Sequence, residues 1–277
     1  MKNVLLAGVL AGAVTMPALA ADFLVKAPVP MAAPASVSWT GFYLGGNAGG
    51  AWTRDCWDLK GALVFGLNIP EGCSDSTGFL GGGQVGYRHQ LGNFVFGIEA
   101  QADWATMTGS FNSNAIPGAF AAITGRPLVL PTGTSVGLSD ASKLNWLATF
   151  TGQIGYSFGS VLWYAKGGAA VTDNTYDGTL TVTTPRLTLT ATDHATETKF
   201  GGVIGTGVEW MFAKGWSVGA EYNHLFMGNR NVGLGLSGVT GITLPPASAI
   251  LAPGMPTRNV NIGQDVDLAT VRLNYRF

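Results

Sequence analysis

The chain has 277 residues, 41 of them glycine, with 11% charged side chains, 10% aromatic ones and a formal net charge of −1. That balance excludes a basic surface for nucleic acid, and so few charges with a positive mean hydropathy depart from the soluble secreted norm. Past residue 20 no apolar run is long enough for a spanning helix. A closed β-barrel is the other way an apolar chain satisfies its backbone in lipid.

The first residues, "MKNVLLAGVLAGAVTMPALAADF", carry one lysine, an apolar run from Val4 to Val14, and Ala18-Leu19-Ala20 as a small-residue cleavage site. This pattern predicts a secretory signal peptide over 1–20. Residues 21–38 are proline-containing and weakly patterned, which predicts a periplasmic linker. The barrel is expected over 39–277.

Eight alternating stretches follow, at 40–52, 78–91, 94–106, 144–158, 161–172, 199–212, 216–226 and 265–277. Each exceeds the roughly 9–11 residues that a tilted strand needs to cross a bilayer. Gly92-Asn93 and Gly159-Ser160 predict two-residue hairpins, and Ala213-Lys214-Gly215 predicts a three-residue one. These turns pair Leu91 with Phe94, Phe158 with Val161 and Phe212 with Trp216, all apolar and all outward in their own strands. The remaining connections, 53–77, 107–143, 173–198 and 227–264, are expected to be long extracellular loops. Short turns on one side and long loops on the other are the asymmetry of outer-membrane barrels. The predicted fold is an all-β, eight-stranded antiparallel transmembrane barrel in the cell outer membrane, with both termini facing the periplasm.

Trp39, Trp52, Trp104, Trp146, Trp163, Trp210 and Trp216 lie at or beside predicted strand ends, and Trp57 lies in a predicted loop. Together with Tyr275 and Phe277 the strand-end rings are expected to form girdles at the two membrane surfaces. The closing stretch "VDLATVRLNYRF" puts Val271, Leu273, Tyr275 and Phe277 on the lipid row and Arg272, Asn274 and Arg276 on the other.

The inward rows carry Arg88, Glu99, Asp103, Lys166, Glu209, Glu221, Arg272 and Arg276, with Gln84, Gln101, Gln153, Asn145, Asn223 and Asn274. Glu221 and Arg272 are expected at one height on neighbouring strands, and Arg88 diagonal to Glu99. An eight-stranded barrel is just wide enough for side chains to fill it, so paired charges of both signs predict a polar plug; a charge-lined solute path is the rival. Cys56 and Cys73, the two cysteines, fall in the first expected loop and suit one disulfide in an oxidising compartment.

Two motifs mimic active sites. "GGGQVG" at 81–86 fits the dinucleotide fingerprint but lies within a strand with no helix after it. "GYSFG" at 155–159 fits the nucleophile elbow but runs into a hairpin turn. His89, His194 and His224 have no metal-ligand spacing. Ser157 and His224 are expected at opposite rims, which separates the pair a lipid-modifying barrel enzyme would need. No catalytic, cofactor or metal site is expected.

"ADFLVKAP", "WTGFYLGGNAGGAW", "VGYRHQLGNFVFGIEAQAD" and the terminal "YRF" resemble the small outer-membrane β-barrel proteins of alphaproteobacteria, known as porin-family or immunogenic surface proteins. The resemblance covers about 20–106 and 144–277. It implies an abundant surface-displayed barrel with no shared catalytic motif. Tyr275 and Phe277 also resemble the terminal signal read by the barrel assembly machinery. The expected role is non-enzymatic, structural or surface-interacting through the loops, where Ile242, Leu244, Ile250 and Leu251 form an apolar set. A narrow channel is the first alternative and a lipid-modifying enzyme the second. Outer-membrane lipid, lipopolysaccharide, the assembly machinery and an extracellular or host ligand are the expected partners.

Overall fold

The computed structural model describes residues 37–62, 67–113, 126–127, 129–240 and 256–277. The signal segment, most of the linker and the apolar set at 242–251 lie outside them. Eight strands run in chain order: β1 (Gly41–Ala62), β2 (Leu67–Leu91), β3 (Phe94–Ser113), β4 (Ser135–Phe158), β5 (Val161–Thr184), β6 (Leu187–Ala213), β7 (Trp216–Thr240) and β8 (Pro256–Arg276). Each pairs antiparallel with its sequence neighbours, and β1 closes on β8. No described helix is long and apolar enough to cross a membrane; the strands do the crossing.

The tight turns follow from backbone chemistry. Gly92, Gly159 and Gly215 take φ of +61°, +75° and +79°, a region open to glycine without steric cost. Leu91 faces Phe94 and Phe158 faces Val161, as the sequence predicts. The third register differs. Trp216 faces Ala213 across a two-residue Lys214-Gly215 turn, and a shift between Met211 and Ala213 restores Phe212 to the lipid face.

Strand length is the larger departure. Much of the expected loops at 53–77, 107–143, 173–198 and 227–264 is strand, and β5 passes to β6 through Pro185 and Arg186 alone. A strand of 24 residues such as β5 extends roughly 80 Å at about 3.3 Å per residue, far more than a tilted crossing needs. The walls therefore continue beyond the outer leaflet. Their outer parts place polar residues such as threonine outward and a mixed polar and apolar row inward, so they lack the outward apolar alternation that marks a lipid-facing strand.

Outward apolar residues fix the membrane band. Leu91, Phe94, Phe158, Trp210, Phe212, Trp216 and Phe277 are exposed near the turns, and Trp52, Phe79, Trp104, Trp146 and Phe200 are exposed higher up. On β3 the two belts are ten residues apart, Phe94 to Trp104, or about 25 Å along the barrel axis after tilt.

Inside, glycines let the wall curve tightly. A Cβ at Gly82 would stand 2.0 Å from the Ala102 carbonyl oxygen, and one at Gly168 2.0 Å from that of Phe150. By contrast a Cβ at Gly81 or Gly83, which face lipid, would meet nothing closer than 3.4 Å. The "GGGQVG" run is thus one strand whose alternate glycines have different duties.

The lumen as candidate functional site

Barrel-lining side chains reach across the lumen and fill it in tiers. Nearest the periplasm, Trp39 is completely buried in the mouth with Val95, Leu162 and Tyr164. Its indole donates to the Gly159 carbonyl at 3.0 Å, and its backbone N–H donates to Gln90 at 2.7 Å. Arg276 lies over the ring at 5.3 Å. Trp39 is therefore a cap inside the mouth and not the girdle residue its sequence position suggests. The other expected girdle tryptophans are outward, and Trp216 packs at a tilt against Tyr275, which meets Phe277 edge-on.

Above the cap lies the charged tier. Lys166 on β5 meets Glu99 on β3 at 3.1 Å and Glu221 on β7 at 2.6 Å. Arg272 on β8 bridges the same two carboxylates. Arg88 on β2 pairs with Glu209 on β6 at 2.9 Å, not with Glu99, whose partners are Lys166 and Arg272. All six side chains are buried, a placement that demands pairing because an uncompensated charge there costs several kcal/mol. Asp103 and Arg276 stand apart from these ion pairs: Asp103 accepts from Gln101 at 2.7 Å, and Arg276 covers Trp39. Gln84 bridges Asn47 and Asn274. Asn145, expected inside, sits at a bulge and donates outward to Asp173 and Thr175.

The tyrosines that hold this tier are absent from the sequence expectation. Tyr43 donates to Glu99 at 2.7 Å and its ring lies where a Gly86 side chain would be. Tyr164 donates to Glu221 at 2.6 Å and lies over Gly207 in the same way. A repeat explains the likeness. Tyr164, Gly207 and Leu268 each follow Tyr43, Gly86 and Leu147 by 121 residues, which is also the separation between Arg88 and Glu209. Phe79 and Phe200, Gly46 and Gly167, and "LAT" at 147–149 and 268–270 keep the same offset, so β5–β8 repeat β1–β4. This self-similarity was the signal in the sequence for Tyr43 and Tyr164.

Above the charges the lumen turns apolar. Ala51, Leu80, Met107, Leu147, Val203, Leu225, Val266 and Leu268 pack together, Leu147 and Leu268 being repeat mates. A further polar tier follows with Asp55, Ser142, Asn174, Lys199 and Gln264, and then an aromatic one with Trp57, Tyr176, Val232 and Ile262. Trp57, expected in a loop, belongs to β1 and packs edge-on against Tyr176.

On the outer wall Cys56 and Cys73 face each other across β1 and β2 and form a disulfide, in strand and not in a loop. Ser157 lies at the periplasmic end of β4 and donates to the Gly159 carbonyl, while His224 bonds Asp267 at 2.7 Å near the outer belt. Among the described residues no group of three His, Cys, Asp or Glu side chains is placed to hold a metal.

Residues 9–240 match the family model of the outer membrane protein beta-barrel domain. The chain is 30% identical over 243 residues to the 31 kDa outer-membrane immunogenic protein of Brucella melitensis, covering 84% of this chain and 90% of that one. The Brucella suis protein of the same name matches equally. Among solved structures, Neisserial surface protein A aligns over 86% of this chain and 98% of its own at 11% identity and a TM-score of 0.34. OprG from Pseudomonas aeruginosa aligns over 86% and 97%, at 11% identity and a TM-score of 0.42. With its closed ring, its two outward aromatic belts and this match over most of its length, the chain belongs to the outer membrane protein beta-barrel family and resides in the cell outer membrane.

Proposed function

We propose that this protein is a closed, non-enzymatic barrel whose lumen is a plug and whose role is structural or surface-interacting, carried by the wall and connections outside the membrane. The observation behind this reading is that buried side chains on strands that are not neighbours touch each other, Lys166 to Glu99 and Arg88 to Glu209. An apolar tier lies directly above them. An ion crossing the lumen would have to break the pairs and then pass a largely apolar layer.

Its partners on this reading are outer-membrane lipid and lipopolysaccharide around the belt, the assembly machinery at the closing strand, and an extracellular ligand at the outer surface. Planar-bilayer recording of the refolded protein tests the plug, with folding verified by heat-modifiable gel migration. Silence is expected; reproducible conductance steps would instead make it a narrow channel. A lipid-modifying enzyme would need a nucleophile beside His224, and Ser157 stands at the opposite rim.

A further inference from the structure

Above the outer belt the outward face of β5 and β6 is a ladder of hydroxyl groups. Tyr176 is buried in the lumen, so the odd-numbered residues of β5 around it point away from the lumen. Across the strand pair Thr179 faces Thr192, Thr181 faces Thr190 and Thr183 faces Thr188. β4 widens the surface with Ser139 and Ser135, both exposed, opposite Thr179 and Thr183. On the other flank Ser237 of β7 donates to the Thr192 hydroxyl at 3.1 Å. Trp146 of the outer belt pairs with Asp173. Thr183 lies ten residues further along β5, about 25 Å above the belt after tilt.

Charge stops where this ladder starts. The rung just below it, Asp177 and His194, is an exposed hydrogen-bonded pair at 2.7 Å. Beyond that pair no outward residue of β5 or β6 carries a charge. A surface that faces water alone carries roughly 25–35% charged residues, so this one is depleted. Threonine suits a strand, but strand propensity does not account for Ser135, Gly137 and Ser139 on the same face of β4. A hydroxyl donates one hydrogen bond and accepts two, and threonine sets a methyl beside it. Such a face complements a neutral polyhydroxylated chain, whose rings present hydroxyl rims and C–H patches, and these rungs have no cation to hold a phosphate.

We propose that this hydroxyl ladder binds saccharide, and that its occupant is the oligosaccharide of the outer-leaflet glycolipid. The face is continuous with the lipid-facing belt, since Trp146 and Phe200 stand exposed at its foot on β4 and β6. A lipid A seated against those rings carries its sugars upward along the wall directly above them. The inference rests on the lipopolysaccharide contact proposed above and adds a place and a chemistry to it. The sugars are read by hydroxyls on neighbouring strands, beginning at Thr179 about 15 Å above the belt.

The test titrates the refolded full chain in detergent with lipid A and with the same lipid A carrying its complete core oligosaccharide. A ligand that binds the folded state raises the midpoint of the heat-modifiable gel transition, so the half-saturating concentrations can be compared. The core-bearing form should saturate at the lower concentration. The triple variant Thr179→Val, Thr181→Val, Thr190→Val removes three hydroxyls and keeps the branched shape that strands favour. It should bind the core-bearing form about tenfold more weakly. Its response to lipid A should not change, which also verifies its fold. Equal saturation by both ligands in the unsubstituted chain, or a triple variant that loses both responses equally or neither, would overturn the ladder and leave the lipid contact standing. No response to either ligand would remove the lipopolysaccharide contact itself, and the ladder with it. Bilayer conductance is independent of these readouts, so the plug reading keeps its own experiment.

Discussion

Arg88 and Glu209 form a 2.9 Å ion pair, yet each occupies the position of the other in the 121-residue repeat. Two equivalent positions that touch must lie beside the pseudo-twofold axis of the ring. Identical residues there would place like charges together, so the repeat can be exact everywhere except on its axis. Arg88 also lies between the repeat mates Tyr43 and Tyr164, 4.5 and 5.2 Å from their ring centres.

A charge swap follows from that relation. Arg88→Glu or Glu209→Arg alone should destabilise the barrel by about 3–5 kcal/mol, because each leaves like charges buried together. The double reversal should recover part of that loss. Urea unfolding in detergent, followed by gel migration, measures all three; a double variant no better than the singles would show that the positions are not equivalent.

The two tiers should act in series on conductance. Glu221→Ala strips a partner from Lys166 and Arg272 and should lower stability, but the Leu268 layer above still excludes ions. Single-channel recording should stay silent for Glu221→Ala and show steps only when Leu268→Ser is added. Steps from Glu221→Ala alone would mean that the apolar tier is no barrier.

Trp39→Ala removes the cap of the periplasmic mouth, including its hydrogen bond to Gly159. For a ring of this size in a packed site the expected loss is about 3–5 kcal/mol. Trp104→Ala, which changes an outward ring in the lipid belt, should cost less. The comparison of unfolding midpoints distinguishes a cap from a girdle residue.

The neighbouring glycines of β2 make a sharper pair. Gly82→Ala drives a methyl into the Ala102 backbone and should cost about 1–3 kcal/mol or more, with poor refolding yield. Gly81→Ala and Gly83→Ala should refold normally.

The Cys56–Cys73 bridge closes a segment with a sequence separation of 17. In the chain-entropy model its loss costs about 3 kcal/mol. Reduction, or a double Cys→Ser variant, should lower the unfolding midpoint without changing the barrel's circular dichroism.

How much of this was legible in the sequence depends on height along the barrel. Within the membrane band one face is apolar and the other polar, so Phe94, Phe96 and Ile98 alternate visibly with Val95, Gly97 and Glu99, and strand order and most registers follow. At the apolar tier both faces are greasy. Leu268 beside Ala269, or Leu225 beside Phe226, carries no alternation, and the tier was invisible to a search for inward charges. Above the belt the outward face is polar and the inward face mixed, so Thr175, Tyr176 and Asp177 read as loop although they continue β5. Trp39 was misplaced because position at a strand end does not say whether a ring faces lipid or the mouth.

The β5–β6 hairpin, closed by Pro185 and Arg186, carries hydrogen-bonded wall to its tip. A molecule approaching the cell there meets paired backbone of two strands, with Val182 facing Leu189 and Thr183 facing Thr188 just below the turn. A ligand that reads this tip, as proposed above, should lose its contacts when the two strands unpair.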